Sequence, residues 1–88
     1  MKITLTKNAK IRFHELNPKY VRIYIVKFSW CGATLGVLPD ELRDNDELIE
    51  TEGIKFIINR DVLEVVERDV KIDFIPEGLR RGFKVFLD

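Results

Sequence analysis

The feature that most constrains the fold of this chain is an apolar run at residues 20–28. Valine, isoleucine, tyrosine and phenylalanine make up seven of its nine residues, a composition typical of β-strands. Val21, Ile23 and Ile25 share one face, and the opposite face is also largely apolar. A strand with two apolar faces is normally covered on both sides, so the run predicts a central strand. It leads into residues 29–33, Ser-Trp-Cys-Gly-Ala, where the glycine permits a turn.

Shorter patterned segments surround this run. The sequence predicts an opening strand at 2–6, a helix at about 7–16 with Thr6 as its N-cap, and a short helix at about 61–67. Further strands are predicted at 35–38, 47–52, 54–58, 70–74 and 83–87, with a tight hairpin at Glu52-Gly53. These elements predict a mainly β fold, a small mixed-sheet sandwich or pseudo-barrel of about six to seven short strands with one or two short helices.

The two predicted helices rest on the pattern of a few residues. Residues 7–16 also allow a strand with Ala9, Ile11 and Phe13 on one face. In the short second helix, Asp61 and Glu64 have the spacing of a capping box. The apolar residues of that helix, which are Val62, Leu63, Val65 and Val66, are expected to form its buried side.

Length and composition restrict the class of protein. With 88 residues and 45% hydrophobic content, the chain is expected to form a single domain over 1–88. A domain of this size is near the lower limit for an unaided core, which leaves a homodimer open. The N-terminus has no apolar segment typical of a secretory signal, and no run is long enough to cross a membrane. We therefore expect a cytoplasmic protein without a membrane partner.

Charge is balanced overall and uneven along the chain. Fifteen basic and fifteen acidic residues cancel, so nucleic acid is not an expected partner. Residues 1–30 hold seven basic residues and one acidic residue, and residues 40–52 hold seven acidic residues and one basic residue. These two stretches are expected to pair with each other where the fold brings them together. A solvated acidic hairpin is the favoured interpretation of residues 40–52, ahead of a cation site.

The side chains that carry out catalysis or bind metals are few. Cys31 is the only cysteine, which excludes an intramolecular disulfide and a zinc site with several thiolates. It is either an exposed metal-binding or redox thiol, or a buried apolar filler. His14 is expected at the surface, and Trp30 is assigned to the core in preference to a partner contact. The pair Arg80-Arg81 is a weak signal for phosphate, and the sequence predicts no enzyme activity.

Several short motifs occur together in an order typical of one protein family. They are Ile-Thr-Leu-Thr at 3–6, Cys-Gly-Ala at 31–33, Asp-Asn-Asp-Glu at 44–47, Gly-Ile-Lys-Phe at 53–56, Val-Lys-Ile-Asp-Phe at 70–74 and Gly-Phe-Lys-Val at 82–85. In this order the chain resembles the HesB/IscA-like family of A-type iron-sulfur carriers over nearly its whole length.

The resemblance implies a metal-binding role for Cys31. Members of the family hold iron or an iron-sulfur cluster through three cysteines, one after the long strand and two in a C-terminal Cys-Gly-Cys. Cys31 matches the first position, so it is the candidate metal and cofactor ligand. The other two have no counterpart, because the sequence stops at Asp88, where the family tail would begin. A cluster ordinarily needs four ligands, so one chain cannot complete it. Two subunits could share iron or a cluster through two copies of Cys31, with a small thiol or carboxylates as the other ligands.

The resemblance also sets the expected function. It implies a HesB/IscA-like protein associated with iron-sulfur cluster metabolism, a binding or interaction protein with impaired or no cluster binding and with a protein partner in iron-sulfur assembly. Two alternatives remain open at this point. One is a metal-free protein-interaction module, and the other is a single-thiol redox protein that uses Cys31.

Overall fold

The computed structural model describes residues 1–88 and contains seven strands and two helices. In chain order they are β1 (Ile3–Leu5), α1 (Lys7–Leu16), β2 (Val21–Ser29), β3 (Gly32–Pro39), β4 (Asp46–Thr51), β5 (Ile54–Asn59), α2 (Arg60–Val66), β6 (Val70–Ile75) and β7 (Gly82–Leu87). Neither helix has the length and apolar character that a membrane crossing requires.

The strands form two mixed sheets. The three-stranded sheet has the order β1-β6-β7, with β1 parallel and β7 antiparallel to β6. The four-stranded sheet has the order β3-β2-β5-β4, with β2 parallel to β5 and the other pairs antiparallel. Strand β3 lies against β7 without a ladder of backbone hydrogen bonds, so the two sheets meet along an open seam. The predicted mainly β class, the strand number and the central place of β2 are confirmed.

The core lies between the two sheets and α1. Strand β5 is its centre, since Phe56 and Ile58 are fully buried in it. From α1, the Phe13 ring stacks on Phe83 of β7 at 4.2 Å between centroids and meets Phe56 edge-on at 5.5 Å. Aromatic contacts of both geometries stabilise a core beyond the area that they bury. Helix α1 therefore connects the two sheets.

Local signals account for both ends of α1. The Thr6 side chain accepts a hydrogen bond from the Ala9 backbone N–H, as an N-cap does. At the other end Asn17 takes a left-handed conformation, φ 47°, immediately before Pro18, and its N–H donates to the Phe13 carbonyl. The predicted helix at 7–16 is confirmed, and the alternative strand is wrong.

Two predicted boundaries need correction. The N-cap of α2 is Asn59, whose side chain accepts from the Asp61 N–H, so the capping box starting at Asp61 is wrong. The expected buried side of this helix is also corrected, since Val65 is 59% exposed and only Val66 is buried. Strand β3 begins at Gly32 and not at residue 35, because its first residues pair with the end of the long β2 strand.

The acidic stretch does pair with the basic one. Arg22 of β2 donates from Nε to Asp40 at 2.5 Å, and from both terminal nitrogens to Asp46 at 2.7 Å each. Lys10 of α1 meets Glu52 at 3.0 Å. Asp46 is buried, whereas the other acidic residues of 40–52 are exposed or half-buried, so the predicted solvated hairpin is corrected only at Asp46. The contacts of Arg22 with Asp40 and Asp46 hold the loop before β4 against β2.

Candidate functional site

The candidate site is the tip of the hairpin formed by β2 and β3. Ser29 and Gly32 are the last paired residues, and Trp30 and Cys31 form the two-residue connection between them. Gly32 has φ +132°, a conformation that residues with a side chain rarely adopt. Glycine at this position therefore allows the chain to reverse directly after Cys31.

Cys31 is exposed at this tip, so the buried-filler interpretation is wrong. Its Sγ lies 3.0 Å from the Ser29 Oγ, which is also 3.2 Å from the Gly32 carbonyl oxygen. A serine hydroxyl has one hydrogen to donate. When the Ser29 hydroxyl donates to the Gly32 carbonyl oxygen, the Cys31 thiol donates to the Ser29 oxygen. When the Cys31 sulfur is a thiolate or a metal ligand, the Ser29 hydroxyl can instead rotate and donate to the sulfur.

Trp30 is also exposed, to 98% of its surface, so its assignment to the core is wrong. The hairpin extends beyond the core, and Phe28 near its end is 60% exposed. Aromatic side chains that remain fully in water carry a cost and often mark contact surfaces. The tip thus places an exposed thiol directly beside an exposed indole.

A β-bulge shapes the strand that leads to the tip. The pairing of β2 with β3 skips Val26, which lies between the pairs Ile25↔Leu35 and Lys27↔Thr34. A bulge leaves one residue unpaired and re-aims the side chains next to it. The sequence analysis did not predict this bulge, although strict alternation would place Lys27 on the apolar face of Val21, Ile23 and Ile25.

Ser29 was also missed by the sequence prediction. Its position at the start of the short Ser-Trp-Cys-Gly turn was the available signal, because a serine hydroxyl at a turn often hydrogen-bonds to groups two or three residues further on. The other candidates lie elsewhere. His14 is exposed on α1, as predicted, and Arg80 and Arg81 are exposed in the β6–β7 loop.

The donor set around Cys31 is small. No three side chains of the histidine, cysteine, aspartate or glutamate type come close enough together to hold a metal ion. Thiolate sulfur is a preferred ligand for iron in clusters, which ordinarily have four ligands. Residues 1–88 place one thiol, that of Cys31, at the tip.

Relatives of the chain carry one consistent name. An iron-binding protein IscA from Enterobacter sp. (strain 638) is 33% identical over 90 aligned positions, which cover 96% of this chain and 83% of that protein. The chain belongs to the HesB/IscA-like family. A second HesB/IscA-like relative, the iron-binding protein IscA of Pectobacterium carotovorum, is 38% identical over 61 residues, 67% of this chain. That alignment spans 56% of the relative's own length, so the chain matches little more than half of it.

Solved structures show the same fold. The HesB/IscA-like chain superposes on Escherichia coli SufA, described as involved in biosynthesis of iron-sulfur clusters, with a TM-score of 0.69 and 28% identity over 97% of this chain and 79% of that one. It superposes on IscA with a [2Fe-2S] cluster with a TM-score of 0.69 over 98% of this chain and 83% of that one, and their 18% identity makes this a likeness of fold alone. No family model matches the sequence. The resemblance stated from the motifs is confirmed by the relatives.

Proposed function

We propose that this protein takes part in iron-sulfur cluster metabolism as a binding protein and not as an enzyme. Its kinship with iron-binding IscA proteins supports this general role. Within that role, residues 1–88 act as a single domain that offers iron or a cluster one thiolate ligand, Cys31. The iron or cluster is the cargo of the protein.

The observation that carries the proposal is the placement of Cys31. Its sulfur is exposed at a hairpin tip, beside a glycine that lets the chain turn and away from the apolar core. A thiol in this position is accessible to a metal ion and to a second protein. The Ser29 hydroxyl at 3.0 Å supplies a hydrogen bond that a metal-bound sulfur can accept.

The number of ligands that residues 1–88 offer limits how tightly they can bind a cluster. A cluster with four ligands cannot be completed by one thiolate, so a stable complex requires added ligands. A second copy would bring a second Cys31, and small thiols such as glutathione would complete the set. We therefore infer impaired binding by the isolated chain and improved binding when an external thiol is supplied.

Anaerobic reconstitution tests this proposal. The purified chain is mixed with ferrous iron and sulfide, with and without glutathione, desalted, and assayed for iron, sulfide and visible absorbance. The expected result is little bound cluster without glutathione, and with it an absorbance that corresponds to at most one cluster per two chains.

One substitution removes the thiol, and a second, of another exposed group, is its matched control. Cys31→Ser is expected to abolish the absorbance, whereas His14→Ala, on α1 and exposed, is expected to leave it unchanged. Equal loading of Cys31→Ser and the unaltered chain would overturn the role of the thiol. One full cluster per chain without any added thiol would overturn the inference of impaired binding.

A metal-free interaction module is the second candidate, and the full exposure of Trp30 favours it. This role predicts that the Cys31→Ser variant still binds its partner. It also predicts that the protein binds no iron or cluster under any of the reconstitution conditions. A single-thiol redox role, the third candidate, predicts instead that Cys31 cycles with a small disulfide while iron is absent. Mass spectrometry of the thiol after exposure to oxidised glutathione distinguishes this role from the other two.

A further inference from the structure

The loop between β6 and β7, residues 76–81, projects from the rest of the fold. All of its residues are exposed, and Leu79 is 105% exposed, as much as it would be in an isolated peptide. Gly78 and Gly82 flank the Leu-Arg-Arg segment, and a Cβ at either glycine would meet no atom within 4 Å. A second molecule can therefore approach this loop from several sides.

Few contacts hold the loop in its conformation. Its one backbone hydrogen bond joins the Arg81 N–H to the Gly78 carbonyl oxygen at 3.3 Å. The side chains of Arg80 and Arg81 take part in none of the ion pairs of the fold. Gly78 and Gly82 have φ of +100° and +118°, and glycine adopts such values and the extended conformation about equally well. The segment between them can therefore change from a turn to an extended conformation by a local opening.

An exposed arginine in such a loop fits the substrate requirement of an arginine-specific endoprotease. An endoprotease binds several residues of its substrate in extended conformation, so exposed loop tips are the preferred sites of a first cut. An enzyme of this specificity holds the planar guanidinium of its substrate with a carboxylate. Because Arg80 and Arg81 both have an unpaired guanidinium, the peptide bond after either residue suits this class of enzyme.

Basic residues elsewhere in the chain are better protected from such an enzyme. Those within helices and strands have their backbone in regular hydrogen bonds, and those outside them, apart from the two loop arginines, are Lys2, Lys19, Arg43 and Arg68. The Lys2 backbone N–H donates to Asp69, and its carbonyl oxygen accepts from Val70. Both backbone groups of Arg43 bond to Asp46. A protease would have to break these bonds before it could bind either segment.

The two remaining basic residues are also held by contacts. The Lys19 ammonium lies 5.8 Å from the centre of the Tyr20 ring, and the Tyr20 carbonyl oxygen accepts a backbone hydrogen bond from the loop before β4. The Arg68 side chain donates to the Asp88 carbonyl oxygen. The β6–β7 loop thus combines exposed arginines with the smallest number of bonds to break.

We propose that residues 76–81 are a cleavage site for an arginine-specific endoprotease, and that a cut there releases β7 and opens the fold to complete digestion. In the cut after Arg81, the C–N bond to Gly82 breaks. One water molecule supplies the oxygen of the new Arg81 carboxylate and a proton for the new Gly82 amino group. The site requires neither Cys31 nor its cargo, so it does not depend on the proposed function.

After such a cut, noncovalent contacts alone hold β7. It is an edge strand that is paired only with β6, and its Phe83 ring stacks on Phe13 at 4.2 Å and is tilted against Phe74 at 4.9 Å. Binding of one short strand does not offset the loss of its translational and rotational freedom. We expect β7 to dissociate and to leave part of the Phe13 and Phe74 rings exposed, in a domain already near the lower limit of size.

Limited digestion of the folded chain with trypsin tests this site. Samples from early times are analysed by mass spectrometry of the intact fragments. The first products are expected to be residues 1–80 and 1–81 with the complementary fragments 81–88 and 82–88, and smaller fragments are expected to follow. Gel filtration is expected to separate residues 82–88 from the larger fragment, and circular dichroism is expected to show that the larger fragment unfolds.

Substitutions test whether the two arginines are recognised. The double variant Arg80→Gln with Arg81→Gln is expected to last about tenfold longer in trypsin, since the next site needs a larger opening of the fold. Lys19→Gln, in another exposed loop, is the control and is expected to last as long as the unaltered chain. A glutamate-specific endoprotease is expected to cut the double variant and the unaltered chain after Glu77 at equal rates, because the loop remains exposed.

Other outcomes overturn the proposal in separate ways. A first cut after Lys19, Arg43 or Arg68 would assign the accessible site to another loop. Equal lifetimes of the double variant and the unaltered chain would show that trypsin digests only the globally unfolded chain. A cut chain that keeps residues 82–88 bound, with an unchanged circular dichroism spectrum, would exclude the release of β7.

Discussion

The guanidinium of Arg22 holds the carboxylate of Asp46 by two hydrogen bonds of 2.7 Å each, with both residues buried. The same guanidinium donates to Asp40 and to the Glu41 carbonyl oxygen. The Arg43 backbone N–H donates to Asp46 at 2.7 Å. These hydrogen bonds hold Asp46, the first residue of β4, and the loop before it against the central strand β2.

Arg22→Met is expected to lower the free energy of unfolding by about 3–5 kcal/mol, because it leaves the Asp46 carboxylate buried without its partner. Urea denaturation followed by circular dichroism measures the change. Lys27→Met on the exposed part of the same strand is the control, with an expected change within about 0.5 kcal/mol. Equal stability of the Arg22 variant and the control would show that the ion pair is not needed for the fold.

The same cluster predicts sensitivity to acid. The hydrogen bonds from Arg22 hold the pKa of Asp46 and the pKa of Asp40 below the usual value of 3.8. A carboxyl whose pKa is lower in the folded state stabilises the fold above its unfolded pKa, and this stabilisation is lost as pH falls through the folded pKa. Stability is therefore expected to be level from neutral pH to about pH 5 and to fall below about pH 4.

Asp46→Asn is the test of that assignment. The variant is expected to be less stable at neutral pH, and its stability is expected to depend less on pH between about 5 and 2 than that of the unaltered chain. Urea denaturation at several pH values gives both quantities. An acid profile unchanged by the substitution would assign the acid sensitivity to other carboxyl groups.

Gly36 of β3 is expected to tolerate no side chain. A Cβ at this position would lie 2.9 Å from the Tyr24 ring and from the Val26 side chain, which is closer than such atoms approach. Gly36→Ala is therefore expected to cost about 1–3 kcal/mol as neighbouring side chains are displaced. Thr34→Ala, at an exposed position two residues away on the same strand, is the control. A melting temperature unchanged by Gly36→Ala would show that Tyr24 moves aside freely.

The parts of the fold that the sequence predicted correctly are set by residues close to one another in the chain. The bounds of α1 follow from Thr6 and from Asn17-Pro18, which act within a few residues of the helix ends. The environment of Trp30 could not be predicted, because an apolar residue is buried only where other elements cover it, and the hairpin extends past them. The partner of Arg22 was predicted only as a general acidic stretch, since the contact joins residues 24 positions apart.

The turn between β4 and β5 offers a stabilising substitution. Glu52 and Gly53 both have positive φ, 51° and 80°, as the two central residues of a type I′ hairpin do. Asparagine adopts this conformation more readily than glutamate. Glu52→Asn removes the exposed ion pair with Lys10, which contributes at most about 1 kcal/mol, and relieves a backbone cost of about 1–2 kcal/mol.

The net effect of Glu52→Asn is therefore an expected gain of about 0.5–1 kcal/mol in the free energy of unfolding. Lys10→Ala separates the two contributions, since it removes the ion pair and leaves the turn as it is. That variant is expected to lose less than about 1 kcal/mol. If Glu52→Asn is destabilising, but by less than Lys10→Ala, the ion pair outweighs the strain of the turn. If Glu52→Asn is destabilising by more than Lys10→Ala, glutamate does not strain the turn and the substitution relieves nothing.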